Sequence, residues 1–291
     1  PIIFTKLQPP LVRRSTFRRE RLAGLMRQCV ERRLTLVYAA PGYGKTTLLA
    51  GALGEMEIPL FWYSLGRSDR DLITFFSYLT EAFNRQWPGF AGAVGPAFAP
   101  GSSAESRSAA FVAATVNQLM ARAASDFIVI LDDFQFVDRT PDICRTVDEL
   151  ILHAPPPAHF VIATRSAPPF SALPRLRATG EALEIGEAEL RFRPDEAAAL
   201  LAQTLRLNLP EARVATLVEQ TEGWVLGLLL AGQSIKGGAD VELSDRRPEV
   251  LADRRVLFEY LTEEVLRQQP PAVADFLTSS AILSRLEPTV C

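Results

Sequence analysis

The stretch Leu34-Thr35-Leu36-Val37-Tyr38-Ala39-Ala40-Pro41-Gly42-Tyr43-Gly44-Lys45-Thr46-Thr47 decides the fold. Its first five residues read as a strand, and Leu48-Leu49-Ala50 carries the chain on into a helix. A strand, a tight glycine turn and a helix N-terminus make a cradle for an anion: main-chain N–H groups converge on it and the helix dipole adds positive potential. Gly42 and Gly44 permit backbone angles and a close approach that side chains would obstruct. Lys45 is placed to reach β- and γ-phosphates, and the Thr46 hydroxyl to ligate Mg²⁺. Pro41, Gly42, Tyr43, Gly44, Lys45, Thr46 and Thr47 are therefore the candidate nucleotide-binding stretch. The strict pattern G-x-x-x-x-G-K-[ST] asks for glycine at position 39, where this chain has Ala39. The bland alternative is an ordinary Gly-Pro turn before a helix.

A second motif has the chemistry to complement the first. Phe127-Ile128-Val129-Ile130-Leu131-Asp132-Asp133 is an apolar run ending in two acids. Such a run also describes any buried parallel strand, but carboxylates at a strand's C-terminal end face the ligand crevice of an open α/β sheet. Asp132 is then expected to bind Mg²⁺ beside Thr46, and Asp133 to orient a hydrolytic water. The next apolar run ends in Ala163-Thr164-Arg165-Ser166. Arg165 at that edge is a candidate γ-phosphate sensor, with a solvent-facing loop arginine before Pro168-Pro169 as the alternative.

Composition sets the bounds. The 291 residues suffice for two or three compact units; 48% are hydrophobic and 22% charged, values of a globular protein. No apolar run approaches the ~20 residues that cross a bilayer, and Pro1-Ile2-Ile3-Phe4 lacks the layout of a signal peptide. Neither a membrane nor a secretory role is expected, and a cytoplasmic location is. The net charge of −3 and pI near 5.6 argue against direct nucleic-acid binding by these residues. Cys29, Cys144 and Cys291 have no metal-ligand spacing and read as buried thiols in a reducing compartment. Lysine occurs only at 6, 45 and 236, while arginine is abundant; the phosphate loop keeps a compact ammonium.

Along the chain, apolar runs alternate with helical patterns, the signature of an α/β parallel sheet. Candidate strands are Thr35–Tyr38, Leu60–Leu65, Phe127–Leu131, Phe160–Thr164 and Leu183–Ile185. Between them, Leu72, Phe75, Phe76, Leu79 and Phe83 form one helical stripe, and Phe111, Val112, Val116, Leu119 and Met120 another. Trp87–Ser103, rich in Gly, Pro and Ala, reads as a surface loop. Near residue 190 the strands stop. Helices are expected from Pro194 through Leu205, from Pro210, and over Trp224–Ile235; Lys236–Pro248 reads as a linker, and Val250–Arg267 and Pro271–Ser280 as two further helices. The expected domains are a P-loop nucleotide-binding domain over 1–190, a helical domain over 191–245 and the beginning of a winged-helix domain over 246–291, the chain reading as a fragment of a longer protein.

Taken in order, these motifs resemble the STAND class of signalling P-loop NTPases and, more narrowly, the MalT-like large ATP-binding regulators of the LuxR family. Lys6-Leu7 with Phe17-Arg18-Arg19-Glu20-Arg21-Leu22 resembles the family's N-terminal segment, which lies against the adenine; Phe17 and Arg19 are the base-proximal candidates. Ala40 to Leu48 is similar to its phosphate loop, Trp62-Tyr63-Ser64-Leu65 to its second strand, Leu131 to Gln135 to its acidic strand and Ala163-Thr164-Arg165 to its sensor strand. Leu190-Arg191-Phe192 with Glu196-Ala197 matches the start of the helical domain. Glu222-Gly223-Trp224-Val225 falls where the wider class has Gly-x-Pro; Val225 replaces the proline, and Trp224 is either a nucleotide-proximal residue or a core tryptophan at a helix start. Tyr260 to Leu283 is similar to the beginning of the family's winged-helix domain.

The resemblance implies an ATP/ADP switch in a transcriptional regulator: slow hydrolysis, a resting ADP form, and self-association driven by ATP with an inducer or protein partner bound through downstream domains. Two rivals stay open. An AAA-like remodelling ATPase has the same sheet and helical domain; a P-loop small-molecule phosphotransferase would close arginines such as Arg175, Arg177, Arg191 and Arg193 over the phosphates.

Overall fold

The computed structural model describes residues 2–12, 16–98, 103–237, 266 and 271–280. Contacts divide the chain into two compact units, Pro1–Arg191 and Phe192–Cys291.

The first unit is built on five parallel strands in the order β2-β3-β4-β1-β5, where β1 is Leu34–Tyr38, β2 Leu60–Ser64, β3 Phe127–Asp132, β4 Ala158–Thr164 and β5 Ala182–Ile185. Each expected strand is present, with ends shifted by two residues or fewer. Strands β1, β3 and β4 are buried along nearly their whole length, the reason they read as continuous apolar runs. Parallel pairing demands crossovers, and helices supply them: α1 Glu20–Met26 precedes β1, α2 Lys45–Leu53 follows it, and α3 Leu72–Asn84, α4 Phe90–Val94 and α5 Ala104–Arg122 lie between β2 and β3. Helix α6, Pro141–His153, joins β3 to β4; α7, Leu173–Ala178, joins β4 to β5; the short α8, Glu187–Leu190, ends the unit.

Alternate strand residues choose the faces. Leu34, Leu36, Phe61, Tyr63, Phe127, Val129, Leu131, Phe160 and Ile162 join one core with Phe75, Phe76, Phe83, Phe111, Val147 and Leu176 of α3, α5, α6 and α7. In the α3 stripe Phe75, Phe76, Leu79 and Phe83 are buried as expected, and Leu72 is half-buried. In α5 the expected stripe needs a correction: Met120 is 66% exposed, whereas Thr115 is fully buried beside Phe111 and Leu119. The 3.6-residue period carries the buried face through 108, 111, 112, 115 and 119, and 120 falls one step past it.

The surface loop expected over Trp87–Ser103 is also corrected. It contains α4 and a 3₁₀ turn, Gly95–Phe98, and Ser103 caps α5 by accepting from Ser106 N at 3.1 Å. Phe90 and Val94, four residues apart, are both fully buried. Phe90 stacks on Phe83 with centroids 4.8 Å apart, so two apolar anchors outweigh the Gly- and Pro-rich composition.

In the second unit, α9 Pro194–Leu205, α10 Glu211–Thr221 and α11 Val225–Lys236 form a helical cluster around Leu200, Leu201, Val214, Leu217, Leu228 and Ala231. Gly232 lets α11 approach α9: a Cβ there would meet Leu201 Cδ2 at 2.6 Å and Leu205 Cδ1 at 2.7 Å. Helix α12, Pro271–Ser280, lies where a helix was expected. The linker over 236–248 beyond Gly237, the helix over 250–267 apart from Leu266, and the winged-helix stretches at 260–265 and 281–291 lie outside the described residues. Among the described residues, no helix is long and apolar enough to cross a membrane.

Candidate nucleotide site

The strand order brings three loops to one edge. Because all strands are parallel and β3, β4 and β1 are consecutive neighbours, the segments after Asp132, Thr164 and Tyr38 leave the sheet side by side. Registers align those ends: Tyr38 pairs with Thr164, and Leu131 with Ile162. Arg165 thus leaves the strand lying between the one that leads into the glycine loop and the one that ends in the two acids.

The loop has the expected backbone. Gly42 and Gly44 adopt φ of 81° and 79°, and Gly44 is the residue preceding α2. Both angles lie in the left-handed region, where a Cβ is strained. Lys45 folds back so that Nζ donates to Ala39 O at 2.7 Å and Ala40 O at 3.2 Å. Desolvation lowers the Lys45 pKa to about 8; Asp133 and Asp132 oppose that shift while Arg165 adds to it. Lys45, both acids and Arg165 therefore act on one another electrostatically. Thr47 is exposed on the first turn of α2, and Pro41 is half-buried.

The Thr46 hydroxyl donates to Asp132 Oδ1 at 3.1 Å, and Asp133 N donates to the same oxygen at 3.0 Å. Asp132 is 1% exposed. Burial, then the neighbouring charge of Asp133, pushes its carboxyl up to about 7. A buried carboxylate beside a hydroxyl is a donor set that suits a hard cation, which would return Asp132 to its ionised form. Thr46 and Asp132 are thus the residues that would hold Mg²⁺.

Asp133 turns out of the strand with φ 58°, an uncommon conformation for a residue with a side chain, which aspartate tolerates better than most. Gln135 holds it there, its Nε2 donating to Asp133 Oδ1 at 2.9 Å, while Arg70 Nε donates to Phe136 O at 2.8 Å and braces the same turn. Gln135 Oε1 is buried without a hydrogen-bond partner among the described residues. Gln135 and Arg70 were not among the residues picked from sequence. The only local signal was a glutamine two residues beyond the second acid.

Other candidates lie as follows. Tyr43 is 7% exposed and turns its hydroxyl away from the loop to donate to Glu187 Oε1 at 2.8 Å, so its share in a phosphate cradle is its main chain. Phe17 is half-buried. Arg19 donates from Nη1 to Leu190 O and from Nη2 to Arg191 O, each at 2.7 Å. Lys6 forms an ion pair with buried Asp69 and lies over the rings of Tyr78 and Tyr63, at 4.5 and 5.4 Å, fastening the N-terminal segment to β2 and α3. Trp224, in the second unit, precedes α11; its N donates to Thr221 O at 2.9 Å, and its ring lies 2.9 Å from where a Cβ on Gly227 would be. Of the arginines considered for a lid, Arg177 is paired with Glu184 at 2.5 Å and Arg191 with Glu187 at 3.2 Å.

Comparison with known proteins agrees with the fold. No family model matches the chain. Among solved structures, it superposes on a signal-transduction ATPase with numerous domains that carries a tetratricopeptide-repeat sensor, from Pyrococcus horikoshii, with TM-score 0.55 and 19% identity over 98% of this chain and 37% of that one. It also superposes on a Walker-type ATPase of Pyrococcus abyssi, with TM-score 0.53 and 16% identity, covering 96% and 84%. The fold is that of a P-loop NTPase. By sequence, 98% of the chain is 30% identical to the serine/threonine-protein kinase PknK of Mycobacterium tuberculosis and of Mycobacterium bovis. The chain spans a quarter of the length of those relatives.

Proposed function

We propose that this chain is a nucleotide-operated switch that binds ATP and ADP with Mg²⁺ and hydrolyses ATP slowly. The observation that carries the reading is the meeting of Lys45, Thr46, Asp132, Asp133 and Arg165 at one sheet edge, with Thr46 and Asp132 already in hydrogen-bond contact. In this reading the loop N–H groups and Lys45 neutralise the β- and γ-phosphates. Mg²⁺, held by Thr46 and Asp132, adds charge neutralisation when bound. Asp133, steadied by Gln135, orients the attacking water and accepts its proton. Arg165 distinguishes ATP from ADP by pairing with the γ-phosphate. Phe17 and Arg19 serve the base end.

The wider role follows the same lines. A nucleotide-binding domain over 1–190, a helical domain over 191–245 and the start of a winged helix over 246–291 would form the switch of a longer cytoplasmic protein. An inducer or protein partner then acts through further domains, and the ATP state favours self-association. A transcription regulator of the MalT-like type is the output we favour, on the motifs quoted from this sequence. The relatives named as protein kinases support a second output, a switch joined to a kinase. Neither the H-R-D nor the D-F-G run of a kinase catalytic centre occurs in these 291 residues, so that activity would be encoded elsewhere.

Mass spectrometry of the purified protein tests the reading. Retained ADP, lost in Lys45→Ala, together with turnover well below ~1 s⁻¹, the lower end of ordinary enzymes, supports a switch. Rapid turnover with phosphate appearing on an added small molecule would sink it.

A further inference from the structure

The tyrosine of the glycine loop is tied to the point where the chain leaves the first unit. Tyr43 stands between Gly42 and Gly44, both with positive φ, so its main chain belongs to the loop while its phenol is anchored elsewhere. That anchor is Glu187 Oε1, 2.8 Å from the hydroxyl. The same oxygen accepts from Arg191 Nη2 at 3.2 Å. Glu187 opens α8, and Arg191 is the last residue before the second unit begins at Phe192. The N-terminal segment holds the same place: Arg19 donates to the carbonyls of Leu190 and Arg191 at 2.7 Å, and Arg21 Nη2 to Arg191 O at 3.3 Å. Carbonyls at the end of a helix need partners, and arginines supply them here.

We propose that Glu187 is a positioning residue that transmits filling of the phosphate loop to the Arg191–Phe192 junction; this rests on the nucleotide reading above. Drawing the N–H groups of residues 42–46 onto an anion turns the peptide units on both sides of Tyr43, and the two glycines are where such rotation is cheapest. The phenol moves with them, and its bond to Glu187 lengthens or shifts. The carboxylate oxygen is shared between the phenol and Arg191, so a shift of the phenol changes how it holds Arg191, and a contact shared in this way can carry coupling. The junction then holds α8 and Arg191 differently in the filled and empty states. A static staple would hold them alike in both.

Hydrogen–deuterium exchange on the whole chain, with and without ADP·Mg²⁺, separates the two. In the wild type, peptides covering 40–48 and 186–193 should both change on adding ADP·Mg²⁺. In Glu187→Ala the loop peptide should respond as before, with ADP affinity within about twofold, while the junction response falls at least about fivefold. Glu187→Gln keeps an acceptor for the phenol and should restore most of it. Arg191→Leu removes the second donor to Glu187 without touching the phenol bond, and should alter the junction response even where Glu187→Ala folds poorly. An undiminished junction response in Glu187→Ala, or none in Arg191→Leu beyond the wild-type value, overturns the coupling. A wild type whose loop peptide responds while its junction does not overturns the coupling alone. A wild-type loop indifferent to both ADP·Mg²⁺ and ATP·Mg²⁺ overturns the nucleotide reading and the coupling together.

Discussion

The Thr46 hydroxyl donates to the Asp132 carboxylate at 3.1 Å, although 86 positions separate the two residues and β1, which leads into the loop before Thr46, does not pair with β3. Strand β4 runs between them, so the contact spans the edge of an intervening strand whose next residue is Arg165. Two acids, a lysine and an arginine thus meet at one sheet edge, with Asp132 buried and the other three half-buried. Burial opposes the charges of Asp132 and Lys45, which pushes the Asp132 carboxyl up to about 7 and the Lys45 ammonium down to about 8. A ligand that brings both phosphates and a cation satisfies the set in one step.

That electrostatic burden has a measurable counterpart. Asp132→Asn keeps an acceptor for Thr46 and Asp133 N while removing the buried negative charge. It should stabilise the nucleotide-free protein at pH 8 by about 1–2 kcal/mol. Differential scanning calorimetry should show a raised Tm without ligand and loss of the further rise that Mg²⁺ adds in the presence of ADP. A lowered ligand-free Tm would contradict the assignment of burial as the dominant cause.

Asp133 and Arg165 separate by the step each affects. Asp133→Ala should leave ATP affinity within about threefold and slow single-turnover hydrolysis by roughly 10²–10⁴-fold, the usual worth of a general base. Unchanged hydrolysis removes Asp133 from that role. Calorimetric titration of Arg165→Ala should show ATP losing about tenfold or more in affinity while ADP loses little. Equal losses would mean that Arg165 does not read the γ-phosphate.

Away from the site, the buried Asp148 holds a connecting segment in place. From α6 its carboxylate accepts from Ser171 N at 2.7 Å, Ser171 Oγ at 2.5 Å and Ala172 N at 3.2 Å, pinning the segment that leads from β4 to α7. Asp148→Ala strands three donors and should cost about 2–4 kcal/mol, read as a lower urea midpoint with the m-value unchanged. Asp148→Asn should recover part of the loss.

Cys29 gives a pH dependence with a definite sign. It is 1% exposed, and burial pushes its thiol from 9.0 up to about 12. Between those values the unfolded chain sheds the proton and the native chain keeps it, so the native state binds more protons and stability falls as pH rises above 9. Urea midpoints at pH 8 and pH 10 should therefore drop less in Cys29→Ala than in the wild type. Cys144, raised to about 11, should share with Cys29 a resistance to alkylation at pH 8.

Local chemistry made much of this molecule legible from its residues. The positive φ of Gly42 and Gly44, the strand before them and the helix at Lys45 are dictated within a dozen positions, because loop sterics and hydrogen-bond geometry act between near neighbours. Strands β1, β3 and β4 were readable for a similar reason: a strand buried on both faces must be apolar throughout. Alternation and composition failed where burial was decided by distant partners. Met120 continues an apolar stripe yet faces outward, and Phe90 with Val94 makes a helix inside a Gly- and Pro-rich stretch because Phe83 and Trp87 are there to receive it.

What the chain's residues determined by themselves was the chemistry available: a lysine and a threonine in a glycine loop, two acids after an apolar run, an arginine after another. Tertiary structure alone decided their neighbours. Placing β4 between β1 and β3 put Arg165 between the loop and the acids, and folding α8 beneath the loop gave Tyr43 a carboxylate to hold. Those relations depend on strand order and on closing long stretches of chain, which no periodicity records, because sequence patterns report which face of an element is buried and not which element buries it.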